Sequence, residues 1–267
     1  HLTNRRQRQM CIRDRLTPHH NHSDLVIKAL NKGKAVYVEK PLALDMQSIT
    51  DIEESIYRSE NPKLFIGFNR RFSKSAQFIK QKLINSPANS MNLRFSVPPL
   101  DSDHWTNIKE IGGGRIVGEA VHGIDLACYL FDSLPQSISA SAPVDKTNNM
   151  VKDNQVFLNI NFANGSHASL QYFSEANQIL SKERIEVHGE GNSYILEDFK
   201  MLRFLEGSQD RSKTFSTGKG HKESLSIFFD YVRDKSQNPF TWEEIKAVSK
   251  AATIAQEHIN SGQQHSV

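Results

Sequence analysis

Between residues 16 and 71, amphipathic helix patterns alternate with short apolar runs. Residues 23–32 place Leu25, Val26, Ala29 and Leu30 on one helical face, and Gly33 stops the pattern. Residues 35–38 form a β-branched run that reads as a buried strand ending at Glu39-Lys40-Pro41. Asp45 is placed to cap a second helix with Met46, Ile49, Ile52 and Ile56 on its stripe, and Asn61-Pro62 breaks it. Residues 63–68 read as another apolar strand. Helix–strand–helix–strand implies parallel strands joined by crossover helices, the back half of a doubly wound sheet.

After Phe72 the period shortens. Residues 74–84 still read as a helix, with Ala76, Ile79 and Leu83 inward, and residues 115–131 as another. Between and beyond them apolar residues alternate strictly: Met91, Leu93, Phe95 and Val97; then Val156, Leu158, Ile160 and Phe162; then Ala168, Leu170 and Tyr172. Ala163-Asn164-Gly165 between the last two sets is a hairpin signal. Further strand-like pieces at residues 184–187, 194–197 and 202–205 make a mostly antiparallel sheet, and helices at 223–232 and 242–259 close the chain. The expected fold class is α/β plus α+β: a partial Rossmann domain at 16–71 and an open-sheet substrate and oligomerisation domain at 72–267.

Residues 1–15 fit neither grammar. HLTNRRQRQMCIRDR has no periodicity and reads as a non-native or disordered leader, with native sequence expected upstream. Five of its residues are arginines, in a chain of 267 with 33 Lys and Arg against 30 Asp and Glu. Outside the leader the charge excess nearly vanishes, so nucleic acid is not an expected partner. No run approaches a membrane span, and none is expected. Two distant cysteines, Cys11 and Cys128, exclude a disulfide framework and point to a reducing cytoplasm.

Three motifs carry candidate chemistry. GKAVYVEKP delivers Lys40 to the C-terminal end of a strand, where open α/β sheets bind ligands, and Pro41 fixes the backbone there. GFNRRF places Arg70 and Arg71 at a second strand end, fit for a phosphate or substrate oxygen. GGGRIVGEAVHGID leads three glycines into a helix that carries Glu119, His122 and Asp125 at spacings of three. A carboxylate beside an imidazole can pass a proton at neutral pH. Taken alone, the first motif reads as readily as a surface lysine, and the other two read better as a solvated arginine pair and a helix with a satisfied histidine. His19, His20 and His22 invite a metal reading, but neighbouring histidines on an extended segment point apart and no carboxylate is placed to join them, so no metal is expected.

Taken in order, TPHHNH, EKP, GFNRRFS and GGGRIVGEAVHGID resemble the Gfo/Idh/MocA oxidoreductases, NAD(P)-dependent dehydrogenases of sugars and polyols. The resemblance runs from Leu16 to the last helix. It is nearest a subgroup of sugar-modification enzymes, sometimes fused to a zinc-type alcohol dehydrogenase module of which nothing is visible. The resemblance implies hydride transfer between NAD or NADP and a hydroxyl of a sugar, polyol or nucleotide-sugar. It assigns catalysis to Lys40 and His122, with Glu119 as a third member. It assigns cofactor binding to Thr17, Pro18, His22, Glu39, Lys40, Pro41 and Arg70, and substrate binding to Lys40, Arg71, His122 and Asp125. It also implies a homo-oligomer, a dimer through the C-terminal sheet.

The sequence departs from the family pattern twice. Many members carry aspartate four residues before the histidine; here that position is Gly118 and the nearest carboxylate is Glu119, about 100° away on a regular helix. The family's G-x-G-x-x-G loop is also missing before Thr17, which implies roughly 70–100 further residues at 30 or more per βαβ unit. The chain is therefore expected to be a fragment. Two other outcomes share the resemblance: a non-catalytic sugar-sensing relative, and an NAD-dependent glycosidase that oxidises only transiently.

Overall fold

The computed structural model describes residues 17–84, 86, 88–100, 104–145, 150–151, 154–177, 179–216 and 218–261. The expected leader at 1–15 lies outside them. The first unit opens with a 3₁₀ turn at His19–Asn21 that runs into helix α1, His22–Leu30. Strand β1, Val36–Val38, and strand β2, Leu64–Ile66, pair in parallel across helix α2, Met46–Arg58. Asp45 caps α2 as the sequence implied, its carboxylate accepting from Ser48 N–H at 2.8 Å. Both strands are wholly buried, which explains their uninterrupted apolar runs.

A 3₁₀ turn at Asn69–Phe72 carries the chain into helix α3, Lys74–Leu83, and strand β3, Ser90–Ser96. Helix α4, Val121–Phe131, then leads to strands β4, Pro135–Ser141; β5, Gln155–Phe162; β6, His167–Phe173; β7, Glu183–Gly189; β8, Asn192–Glu197; β9, Met201–Glu206; and β10, Gln209–Thr214. These form one sheet in the order β10-β9-β8-β7-β3-β6-β5-β4. Only β3 and β6 run parallel; every other pair is antiparallel. The sheet buries one face under helices. Leu93, Leu158, Leu170 and Val187 lie on that face, and Gly123 of α4 comes so close that a Cβ would lie 2.5 Å from Leu93 and Leu170.

The chain ends in helices α5, His221–Val232, and α6, Trp242–Asn260, which clamp the two units together. Phe228 of α5 and Phe240 pack on Tyr37 and Phe65 of the parallel strands, with ring centroids 5.0–5.5 Å apart. Burying each such ring contributes about 1.5–3 kcal/mol. From α6, Trp242 Nε1 and Lys246 Nζ donate to Glu53 Oε1 of α2 at 2.9 and 2.6 Å.

Two differences from the sequence reading stand out. Residues 115–131 are not one regular helix: Ile116–Ala120 is a π-helical turn and α-geometry begins at Val121. Strands β4 and β10 are also additions. β10 is exposed at every position, and so has no alternation to read.

Candidate active site

Lys40 leaves the C-terminal end of β1 just before a cis peptide bond to Pro41. Its ammonium donates to the Gly118 carbonyl at 2.5 Å and to Glu119 Oε1 at 2.8 Å. Both acceptors lie in the π-helical turn, where an extra residue per turn re-aims side chains. Burial raises the Glu119 carboxyl and Lys40 overcomes it, leaving the group ionised below its usual range. Glu119 therefore holds the lysine from a position one residue past Gly118. The Gly118 side of the turn is filled: a Cβ there would lie 3.2 Å from the His19 ring.

His19 and His22 scaffold this corner. The His19 ring donates through Nδ1 to the Gly112 carbonyl at 2.8 Å and meets Trp105 edge-on. Burial lowers its pKa from 6.5 to about 4. His22 donates through Nδ1 to the Pro41 carbonyl at 2.7 Å, and burial lowers it as well, so its neutral ring ties α1 to the loop after Lys40. Thr17 and Pro18 lead into the same turn, and Thr17 Oγ1 is buried without a hydrogen-bond partner among the described residues. The carboxylate of Glu39 lies under Gly67, where a Cβ would sit 2.5 Å from Oε2. Beside β1 a cavity of about 420 Å³ runs between Thr17, His22, Val26, Val36 and Glu39.

His122 stands in the first turn of α4, 5% exposed, with the Phe68 ring at 6.4 Å. Burial drives its pKa well below 6.5, and Arg70, Lys40 and Lys219 depress it further. The imidazole is therefore neutral, a base rather than a cation. Its Nδ1 is buried without a partner among the described residues.

Three expected site residues are engaged elsewhere. Arg70, expected at the cofactor, is bound bidentately by Glu183 of β7, Nε to Oε2 at 2.7 Å and Nη2 to Oε1 at 2.9 Å. Arg71 and Asp125, expected at the substrate, hold each other at 2.5 and 3.2 Å, with the guanidinium over the Phe240 ring at 4.5 Å. Both are almost inaccessible, 3% and 1% exposed, and the pair joins α4 to the turn after β2. The helical spacing of Glu119, His122 and Asp125 thus serves two different neighbours. The triple glycine is a packing device as well: Cβ atoms at Gly112, Gly113 and Gly114 would collide with Thr106, Leu44 and Gln256.

Glu183 and Lys219 were invisible in the sequence reading. Glu183 is fully buried, and its carboxylate takes both Arg70 and Lys219. Burial raises it, but the two cations hold it below the usual carboxylate range. It sits 113 residues from Arg70 in an ordinary strand pattern, so no local signal marks it.

Two family models match the chain. Residues 15–68 match the oxidoreductase family's NAD-binding Rossmann fold, and residues 88–195 match a GFO/IDH/MocA C-terminal domain. The chain belongs to the Gfo/Idh/MocA oxidoreductase family. Inositol 2-dehydrogenase of Rhizobium meliloti is 27% identical over 249 residues, covering 90% of this chain and 70% of that enzyme. Levoglucosan dehydrogenase of Pseudarthrobacter phenanthrenivorans is 27% identical over 250 residues, covering 78% and 62%. The aldose-aldose oxidoreductase of Caulobacter crescentus, solved with glycerol, superposes with a TM-score of 0.78 at 15% identity, over 94% of this chain and 78% of that one.

Lys40 of this Gfo/Idh/MocA chain lies within the residues that match the NAD-binding Rossmann fold. Thr17 Oγ1 and His122 Nδ1 are buried polar atoms still lacking a partner among the described residues. A pyrophosphate cradle is not found among the described residues, since the only glycine cluster before a helix is packed shut. Those residues also contain no group of His, Cys, Asp and Glu able to hold a metal, and no helix long and apolar enough to cross a membrane.

Proposed function

We propose that this protein oxidises a hydroxyl of a sugar or polyol, passing hydride to NAD or NADP. One observation carries the reading: Lys40, at the end of β1, is held at 2.8 Å by Glu119 in the turn that runs straight into α4, where His122 is buried with its Nδ1 unpartnered among the described residues. When bound, the nicotinamide supplies the hydride acceptor. Everything else is work for this chain. Lys40 donates to the substrate oxygen and stabilises the alkoxide as charge develops. His122 takes the hydroxyl proton, which its neutral form allows at any pH above its depressed pKa. Glu119 keeps the Lys40 ammonium aimed and neutralises it between turnovers. Thr17, Pro18, His22, Glu39 and Pro41 shape the cofactor side.

The family supports this reading through relatives named as inositol and levoglucosan dehydrogenases. A purely sugar-sensing role fits less well, because binding alone needs neither an aimed lysine nor a neutral buried base. We place the protein in the reducing cytoplasm, as the buried free thiol of Cys128 favours. We assign oligomer formation to the uncovered sheet face, where Phe157 is 40% exposed against Phe173.

The test is a panel of inositols, aldoses and nucleotide-sugars offered with NAD⁺ and NADP⁺, followed by nicotinamide fluorescence. Substrate-dependent reduction with at least one polyhydroxy donor is expected. Reduction with none of them, in a preparation that binds NADH saturably, contradicts the reading.

A further inference from the structure

His19 uses only one of its two ring nitrogens inside the protein. A carbonyl oxygen can only accept, so the 2.8 Å contact with Gly112 places the imidazole proton on Nδ1. Burial keeps the ring neutral at any pH above about 4. Nε2 therefore carries a bare lone pair, an acceptor with no hydrogen-bond partner among the described residues. The residue is only 8% exposed, so this acceptor is left unmatched at a site almost closed to water.

Packing holds the ring in that orientation. Trp105 meets it with centroids 4.8 Å apart, and a Cβ on Gly118 would fall 3.2 Å from its Cε1. Trp105 is fixed in turn by Arg115, which donates to the next two side chains, Thr106 Oγ1 at 3.3 Å and Asn107 Oδ1 at 2.5 Å. His19 leaves the chain beside Thr17 and Pro18, yet its contacts with Gly112, Trp105 and Gly118 all belong to the second unit. Gly118 is also where Lys40 is anchored, Nζ to the carbonyl at 2.5 Å. One glycine thus stands between a donor, Lys40 Nζ, and an unmatched acceptor ring, His19. This corner reaches solvent through Glu119, whose side chain is 39% exposed beside Lys40 at 14%.

We propose that His19 Nε2 is a specificity-determining contact, accepting a hydrogen bond from the substrate hydroxyl next to the one that Lys40 holds. A vicinal diol supplies both halves of this pair, an oxygen for the ammonium and an O–H for the imidazole. A sugar deoxygenated at the neighbouring carbon leaves Nε2 unmatched, and a site built to bond a hydroxyl rejects the analogue lacking it. His19 serves recognition, while proton transfer stays with His122. The inference rests on the sugar-oxidising reading of the same corner.

The test takes whichever of myo-inositol, glucose and UDP-glucose supports reduction of NAD⁺ or NADP⁺, and compares it with its deoxy counterpart lacking the neighbouring hydroxyl. In the parent, kcat/KM should be at least about tenfold higher for the full sugar. His19→Asn separates the two nitrogens: its amide N–H reproduces the Nδ1 donor toward Gly112, and nothing stands where Nε2 was. In that variant KM for the full sugar should rise about tenfold with kcat within about threefold, the two sugars should be used nearly alike, and NADH affinity should be unchanged. Equal use of both sugars by the parent, a comparison that needs no variant to fold, overturns the proposal and leaves the sugar reading in place. So does discrimination kept in His19→Asn, or a loss there confined to NADH affinity, which gives Nε2 to the cofactor. Reduction with none of the three by a parent that binds NADH overturns both.

Discussion

Glu119 and Gly118 show how a one-residue shift can be absorbed. A carboxylate at 118 would need the space held by His19, whereas Glu119 reaches Lys40 from the next position because the turn is π-helical. Glu119→Gln keeps the shape and removes the charge. It should lower turnover about tenfold, a loss of roughly 1.4 kcal/mol in transition-state stabilisation, with cofactor affinity unchanged. Steady-state rates and NADH titration of the variant read both quantities, and unaltered turnover contradicts the positioning role. The sequence singles out Lys40, Glu119 and His122 because their motifs, taken in order, resemble the family's; each motif alone reads as ordinary surface or packing. Their mutual geometry was not legible, since a regular 3.6-residue period predicts Glu119, His122 and Asp125 as neighbours. The structure instead sends Asp125 to Arg71.

Between elements, the buried ion pairs and histidines do the joining. Glu183 ties β7 to the turn after β2 and to the loop before α5. Glu183→Gln leaves Arg70 with no ionised partner among the described residues, which should cost about 3–5 kcal/mol in urea unfolding. A loss below about 1 kcal/mol would show that Arg70 finds solvent instead. His19 makes stability depend on protons in the same direction as Glu183, whose carboxyl is also held below its usual range. Its pKa lies at about 4 folded against 6.5 when exposed, so the unfolded chain binds the extra proton between those values. Its contribution is complete above pH 6.5 and is lost as pH falls through 4, on the order of 3 kcal/mol in all. Unfolding midpoints between pH 7 and 4 should fall less steeply in His19→Asn than in the parent, and equal slopes would remove His19 from the account. None of these partners was visible in the chain: each contact joins residues that local patterning places in separate elements.

Across the whole molecule, the architecture was legible wherever one face is buried. Alternation in β3, β5 and β6 and continuous apolar runs in β1 and β2 separate a sheet covered on one face from one covered on both. It failed at β10, where no face is buried, and at β4, whose serine-rich alternation is shallow. The parallel pairing of β3 with β6 depends on register across 77 residues and leaves no mark in either strand. The same assembly brings β1, the π-helical turn and α4 to one corner, and that corner is the central claim. The most direct test compares Lys40→Met and His122→Asn with the parent, measuring nicotinamide reduction and NADH affinity for each. Turnover should fall by at least about 10²-fold in both variants, the range for removing a general base or an electrostatic stabiliser, while NADH affinity changes less than about threefold. Turnover near that of the parent in either variant would contradict the account.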